Sequence, residues 1–161
     1  MNYELPNFSS LLSHRPDAWA MISGQKKYYE IHGRVRFYQT KYGVVVVSEV
    51  GGLPTQEGAC EKSIYAFHIH EGSSCSGSAE DPFARTGMHY NPYECPHPYH
   101  AGDLPPLFAS NGYAFSAVLT DRFTVKDIVG KTILIHSGVD DFTSQPAGNS
   151  GIKIACGEIK G

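Results

Sequence analysis

Six of the eight histidines in this chain of 161 residues lie between positions 68 and 136, where they could bind metal ions. His68 and His70 belong to an alternating segment, 63–71, that is typical of a β-strand. Side chains two residues apart on a strand point to the same face, about 6–7 Å apart, so the two imidazoles could hold one ion. A polar strand face that carries two histidines by chance explains this pair equally well. His136 ends another strand-like segment and would supply a further nitrogen if the two strands were neighbours.

A denser cluster follows in a proline-rich stretch, where His89, His97, His100 and Asp103 lie within 15 residues. Three prolines between positions 92 and 98 stiffen this stretch and lower the entropy cost of ordering its side chains. Three imidazoles and a carboxylate suit Zn²⁺, which takes four ligands in a tetrahedron, whereas an all-nitrogen set suits Cu(II). A solvated loop that gathers these residues by chance is the weaker alternative. The two remaining histidines are isolated and are interpreted as ordinary polar residues.

The composition excludes several classes of protein. The formal net charge is −3, and the chain lacks the basic stripe of a nucleic-acid-binding protein. No apolar run approaches the roughly 20 residues of a membrane span. Residues 1–20 lack the basic start and apolar core of a secretory signal. We therefore expect a cytoplasmic protein as the sequence stands, or an extracytoplasmic one if a leader was removed.

The elements that must position these side chains are short strands. Charged residues make up only 18% of the chain and glycines number 17, which favours strands and turns over long helices. Asn111-Gly112 between two apolar segments is a strong hairpin signal, and Gly33 inside another segment suggests a bulge. Two stretches without apolar periodicity, 72–103 and 138–151, are long enough to indicate functional loops. The pattern predicts an all-β sandwich or barrel. Its eight strands are expected at 18–23, 30–40, 44–50, 63–71, 107–110, 113–121, 131–137 and 152–159.

Five segments resemble the signature segments of copper/zinc superoxide dismutases and occur in that family's order. They are FHIHE at 67–71, GMHYNP at 87–92, HAGDLP at 100–105, HSGVDD at 136–141 and GNSGIKIACGEI at 148–159. The cysteine after HIHE, the stretch before GMHYNP and the GDLP run are most similar to bacterial members. The resemblance implies an eight-stranded Greek-key β-barrel with a long metal-binding loop and a second loop over the active site. It divides the chain into an N-terminal extension, 1–17, and a superoxide dismutase domain, 18–161.

The resemblance implies copper and zinc as cofactors and assigns every ligand. Copper would be bound by His68, His70, His89 and His136, and zinc by His89, His97, His100 and Asp103. His89 would bridge both ions as an imidazolate, leave copper on its reduction and take up a proton. Asp140 would tie a copper histidine to a zinc histidine and fix their orientation, with an ordinary turn residue as the alternative. The implied reaction converts superoxide into O₂ and H₂O₂ by alternate reduction and oxidation of copper.

Lys153, in GIKIACG, is the main departure from the family, which normally has an arginine three residues before the second disulfide cysteine. Lysine keeps the positive charge that attracts superoxide but loses the planar fork of a guanidinium. It is the expected substrate-guiding residue, with an ordinary exposed lysine as the alternative. The resemblance also implies a disulfide between Cys75 and Cys156. Cys60 and Cys95 have no family counterpart, and Cys95 is interpreted as a stray ligand, a free thiol or, preferably, a plain loop cysteine.

Two other functions fit parts of the pattern. Missing copper ligands would favour a protein of this fold that stores or delivers metal, yet all four are present. A zinc hydrolase would need an open zinc position and a nearby carboxylate base, and neither is evident. The expected partner is therefore superoxide, without nucleic acid or a membrane span. Family members form dimers, so a homodimer is an expected assembly, although the sequence assigns no interface.

Overall fold

Eight antiparallel strands close into one barrel in the computed structural model, which describes residues 7–55, 58 and 63–161. The strands are β1 Ala18–Gly24, β2 His32–Thr40, β3 Gly43–Gly51, β4 Ile64–His70, β5 Asp103–Ser110, β6 Tyr113–Thr120, β7 Thr132–His136 and β8 Lys153–Glu158. A short helix, α1 Val125–Ile128, and the 3₁₀ helices Phe8–Ser13, Lys26–Tyr28 and Ala84–Thr86 complete the described elements. No helix in the described residues is long and apolar enough to cross a membrane.

The order of strands around the barrel is β1-β2-β3-β6-β5-β4-β7-β8. The neighbours β3 and β6, β4 and β7, and β1 and β8 are distant in sequence, so long connections cross the ends of the barrel in a Greek-key manner. The prediction of an all-β, eight-stranded architecture is confirmed. Of the two longest connections, the one between β4 and β5 carries His89, His97 and His100, and the one between β7 and β8 carries Asp140.

Four consecutive valines in β3 are buried because both faces of this strand are covered. They alternate between the barrel core and an outer cluster. Phe8 and Leu11, on the 3₁₀ helix Phe8–Ser13, pack onto the outer cluster. The described part of the N-terminal extension is therefore packed on the barrel wall. Residues 1–6 lie outside the described residues, and the domain boundary after residue 17 stays a prediction.

Two glycine positions show how the turns and strands are specified. Asn111 and Gly112 both have positive φ, 50° and 78°, as the predicted two-residue hairpin between β5 and β6 requires. The bulge expected at Gly33 is wrong, because the pairing of β2 with both neighbours continues through it without a shift. Glycine is needed there for another reason. A Cβ at Gly33 would collide with the backbone of Glu49 and Val50 on β3.

β5 begins earlier than the sequence predicts, at Asp103 instead of residue 107. Pro105 and Pro106 conceal this strand, since proline is excluded from the interior of most sheets. They are tolerated because β5 pairs with β6 only at Ala109 and Ser110, and because its register with β4 shifts at a bulge. Asp103, expected in a loop, is therefore a strand residue.

Candidate metal centre

β4 lies at the centre of the site, and its two neighbouring strands bring ligands to it from both sides. β5 places Asp103 directly opposite His68. β7 pairs with the other edge of β4 and ends at His136. His89, in the long loop, forms an isolated antiparallel bridge with His70. Backbone pairing thus gathers side chains from four separate segments of the chain.

Four buried histidines make up what we call the first ligand group: His68, His70, His89 and His136, with ligand atoms within 4.8 Å of one another. His70 donates from Nδ1 to the Gly87 carbonyl at 2.9 Å, and its Nε2 lies 3.3 Å from His136 Nε2. His68 donates from Nε2 to Asp140, and its buried Nδ1 has no hydrogen-bond partner among the described residues. The remaining nitrogen lone pairs therefore converge, and an all-nitrogen donor set fits copper.

The second ligand group combines three histidines and a carboxylate, again with ligand atoms within 4.8 Å: His89, His97, His100 and Asp103. The Asp103 carboxylate lies 2.7 Å from His89 Nδ1 and 3.3 Å from His100 Nδ1. It lies 3.0 Å from His97 Nδ1 without the alignment of a hydrogen bond. His89 Nδ1 and His100 Nδ1 are 3.4 Å apart. Neighbouring ligands of a tetrahedral zinc ion with bonds of about 2.0–2.1 Å would be about 3.3–3.4 Å apart, so this spacing fits zinc.

His89 belongs to both groups. Its Nδ1 faces the second group, at Asp103. Its buried Nε2 has no hydrogen-bond partner in the described part of the chain, and its ring centroid lies 4.0 Å from that of His68. A single imidazole can serve two ions when both nitrogens are deprotonated. The geometry at His89 is therefore suitable for the bridge that the sequence predicts.

Asp140 connects the two groups by a second route, through the far sides of two imidazoles. Its carboxylate accepts hydrogen bonds from His68 Nε2 and His97 Nε2, each at 2.8 Å. Burial alone would raise the pKa of Asp140, but these bonds and one from the Phe142 N–H outweigh it and hold the pKa well below its usual range. The ionised carboxylate thereby fixes both Nδ1 atoms as the metal-binding ones. Gly148 is required beside it, because a Cβ there would collide with Asp140 and His97.

Burial keeps three histidines of the first ligand group, His68, His70 and His136, in the neutral form that binds metals. Together with the neighbouring imidazoles, it lowers the pKa of His70 to about 2 and that of His136 to about 3. Burial also lowers the pKa of His68. For Asp103, burial raises the pKa, but the hydrogen bond from His89 and the nearby histidines outweigh it and lower the pKa overall. At neutral pH these three histidines are therefore neutral imidazoles, and Asp103 is a charged carboxylate.

A cleft of about 500 Å³ is lined by three histidines of the first group and by Lys153. Lys153 Nζ donates to the carbonyls of Phe83 at 3.3 Å and Gly87 at 3.5 Å. It lies 3.8 Å from the Asp81 carboxylate. Lys153 is the one lysine or arginine among the described residues that line this cleft. Sequence reasoning missed the two carboxylates that also line it, Glu80 and Asp81, because charged loop residues carry no pattern of their own.

Gln145 is another residue that sequence reasoning missed. Its side-chain amide accepts a hydrogen bond from the His97 N–H at 2.9 Å and donates one to the His97 carbonyl at 2.7 Å. These two bonds join the loop between β7 and β8 to the backbone of a candidate zinc ligand. No residue-type pattern could reveal them, since every residue offers a backbone N–H and carbonyl.

The disulfide between Cys75 and Cys156 is present, as the sequence predicts, and ties the long loop to β8. Cys95 has a free thiol and belongs to neither ligand group. It is held in a tight turn, where the Asn91 side chain bonds to its backbone N–H and carbonyl. Cys60 lies outside the described residues.

Comparison with known proteins agrees with this geometry. The family model described as copper/zinc superoxide dismutase (SODC) matches residues 31–159. The chain is 36% identical over 142 residues to the copper–zinc superoxide dismutase of Photobacterium leiognathi, covering 80% of this chain and 78% of that protein. It is 36% identical over 136 residues to that of Legionella pneumophila, covering 80% and 77%. A solved structure, the Cu/Zn superoxide dismutase from Brucella abortus, matches with a TM-score of 0.73 at 23% identity, covering 88% of this chain and 99% of that one. The chain therefore belongs to the copper/zinc superoxide dismutase family.

Proposed function

We propose that this chain is a superoxide dismutase that binds copper in the first ligand group and zinc in the second. The observation that carries the proposal is the pair of four-membered groups joined through the two nitrogens of His89. A protein that only stores metal needs no shared ligand, and a hydrolytic zinc ion needs an open coordination position. Both alternatives are therefore less well supported.

Copper, when bound, supplies reversible one-electron chemistry, while zinc is redox-silent. Formation of H₂O₂ consumes two protons, and the chain itself can hold one of them. His89 lines the cleft, and its Nε2 is the nitrogen turned away from the second group, so that atom can hold a proton on the substrate side. Asp140 keeps the rings of His68 and His97 from rotating or changing tautomer while His89 gains or loses this proton.

Capture of an anionic substrate by a chain of net charge −3 requires a local positive potential. The Lys153 ammonium supports this role because two backbone carbonyls hold it at the cleft. The carboxylate of Asp81 lies close enough to offset part of its charge. Lys153 is therefore the proposed guiding residue, and the acidic side of the cleft limits how strongly it attracts anions.

We expect one copper and one zinc per chain, because eight ligand positions are filled by seven residues with His89 counted twice. Elemental analysis of the fully loaded protein measures this ratio, and a superoxide assay of the same sample tests the function. Removal of both metals by a chelator should abolish dismutation, and their return should restore it. A chain that holds a single ion, or a loaded chain without dismutase activity, would contradict the proposal.

Lys153→Glu is expected to lower kcat/KM for superoxide about tenfold or more, because it reverses the charge at the cleft. Lys153→Arg should keep or raise activity and tighten the binding of azide, since the guanidinium restores a planar fork. Steady-state kinetics at several salt concentrations measure this loss of kcat/KM. The loss should become smaller above about 0.1 M salt, where the Debye length is shorter than ~10 Å. Lys160→Glu is the matched control, as this exposed lysine lies over Trp19 and does not line the cleft. Equal losses in Lys153→Glu and Lys160→Glu would show that only net charge matters.

A further inference from the structure

Arg122 lies in the connection between β6 and α1, outside both ligand groups, yet its side chain reaches the loop that carries the second group. Its Nη1 lies 3.0 Å from the carbonyl oxygen of Pro98, 3.1 Å from that of Asp103 and 3.3 Å from that of His100. We infer that Arg122 is a positioning residue for the zinc ligands, holding their backbone in the metal-binding arrangement. The inference rests on the proposed function, since it requires that the second group binds zinc.

Three carbonyl oxygens that point at one spot repel one another unless a positive donor lies among them. The guanidinium of Arg122 supplies that donor, and hydrogen bonds from a charged group are shorter and stronger than neutral ones. In the described part of the chain, the Pro98 carbonyl accepts a hydrogen bond from Arg122 alone, while the His100 carbonyl also accepts one from the Asp103 N–H. Without Arg122, the Pro98 carbonyl would have no hydrogen-bond partner among the described residues.

The backbone of Arg122 is held in place because the residues next to it in sequence are bonded to or buried in the barrel. Its N–H donates to Thr120 Oγ1 at the end of β6. The next residue, Phe123, is buried in the core. Thr124 then begins α1 with a capping box that includes Asp127. Arg122 therefore joins a part of the protein with many core contacts to a loop that has few regular hydrogen bonds.

The second support of this loop differs in kind. Gln145 clamps the His97 backbone, but Gln145 itself belongs to the other long loop. The two hydrogen bonds from Gln145 to His97 therefore form only when the loop between β7 and β8 is also ordered. Arg122 provides a link from the ligand-bearing segment 97–103 to the barrel that is independent of the second loop. Loss of this link should affect zinc more than copper, because three of the four second-group ligands lie in that segment, whereas all four first-group histidines lie outside it and outside the contacts of Arg122.

The test compares Arg122→Met, Arg122→Lys and the control Arg34→Met in the full chain loaded with copper and zinc. Arg34 pairs with Glu49 on the outer face of β2 and β3, so its loss removes an exposed ion pair far from the ligands. Zinc affinity is measured by competition with a chromophoric chelator. The geometry of the site is read from the visible bands of Co²⁺ placed in the zinc site.

We expect Arg122→Met to weaken zinc binding about 10–100-fold, the usual cost of losing a residue that supports ligands, and to alter the Co²⁺ bands. Arg122→Lys should recover part of the affinity, because an ammonium is also positively charged and has three N–H donors. Arg34→Met should match the wild type. If Arg122→Met does not fold, Arg122→Gln replaces it. Zinc affinity is then expected to decrease in the order wild type, Arg122→Lys, Arg122→Gln. Zinc affinity and Co²⁺ bands that are unchanged in these variants, even with a lower Tm, would overturn the inference. A wild-type chain that binds no zinc would instead overturn the proposed function, and this inference with it.

Discussion

Replacing Asp140 by asparagine is expected to damage one of the two metal sites, with a loss of about 10–100-fold in metal affinity there and a matching loss of activity. The aspartate accepts a hydrogen bond at each oxygen, from His68 on one side and His97 on the other. Asparagine has the same shape but offers only one acceptor, its other terminus being an NH₂ donor. One of the two histidines must then lose its partner or change tautomer.

The change of tautomer explains why the effect should be large. An imidazole that accepts from the asparagine NH₂ at Nε2 carries its proton on Nδ1, the atom that would otherwise bind the metal. If His68 changes, the copper site suffers; if His97 changes, the zinc site suffers. The structure leaves little room for both rings to move away, since His68 and Asp140 are almost fully buried and His97 is 3% exposed.

Metal content per chain and chelator competition for each ion measure this outcome in Asp140→Asn. Asp141→Asn is a close control, because that neighbouring carboxylate is exposed and its hydrogen bonds within the described residues are to Thr143 and Ser144 of its own turn. We expect Asp141→Asn to keep both ions. Retention of both ions at wild-type affinity in Asp140→Asn would mean that packing alone fixes the two imidazoles.

Removal of the Cys75–Cys156 disulfide is expected to lower the free energy of unfolding by about 4–5 kcal/mol, as the chain-entropy model gives for a loop of this length. The bonded residues are 81 positions apart, so the bond restricts about half of the unfolded chain. For a domain of this size that loss corresponds to a decrease in Tm of roughly 10–20 °C. The bond also anchors the loop whose Phe83 carbonyl holds Lys153, so activity should become more sensitive to temperature.

The suitable variant is Cys75→Ser with Cys156→Ala. Cys156 is buried against Phe83 and Leu134, where a serine hydroxyl would lack a partner. Thermal unfolding of the metal-loaded protein measures the change, and Cys95→Ser is the control for loss of a thiol that forms no disulfide. A decrease in Tm no larger than that of the Cys95 control would contradict the expected stabilisation.

Much of the fold follows from local patterns in the chain. Alternation of apolar residues marks the strands because one face of each strand must be buried in the barrel. The Asn111-Gly112 pair marks its hairpin because both residues adopt positive φ without strain. The first half of β5, before the predicted start at residue 107, is missed by this reasoning. Its prolines are normally excluded from strands, and they are tolerated only because β5 lacks a full partner on the β6 side.

The candidate ligands are also readable along the chain, because metal binding demands particular side chains at particular spacings. His68 and His70 on one strand, the cluster from His89 to Asp103 and the terminal His136 are all brought into the two groups. Three further expectations come from the family resemblance and not from the spacing. They are the sharing of His89 between both groups, the role of Asp140 and the pairing of Cys75 with Cys156. These residues are few, chemically distinctive and constrained by the ions they would hold.

The supports of the site are visible only in the folded chain. Arg122 and Gln145 act on backbone carbonyls and N–H groups, which every residue possesses and which therefore leave no mark in the sequence. Asp81 beside Lys153 is 72 residues away in sequence, and the Greek-key connections bring the two together. Local chemistry thus specifies which residues can bind metals, while contacts between distant segments decide which nitrogen of each histidine faces the ion and how firmly it is held.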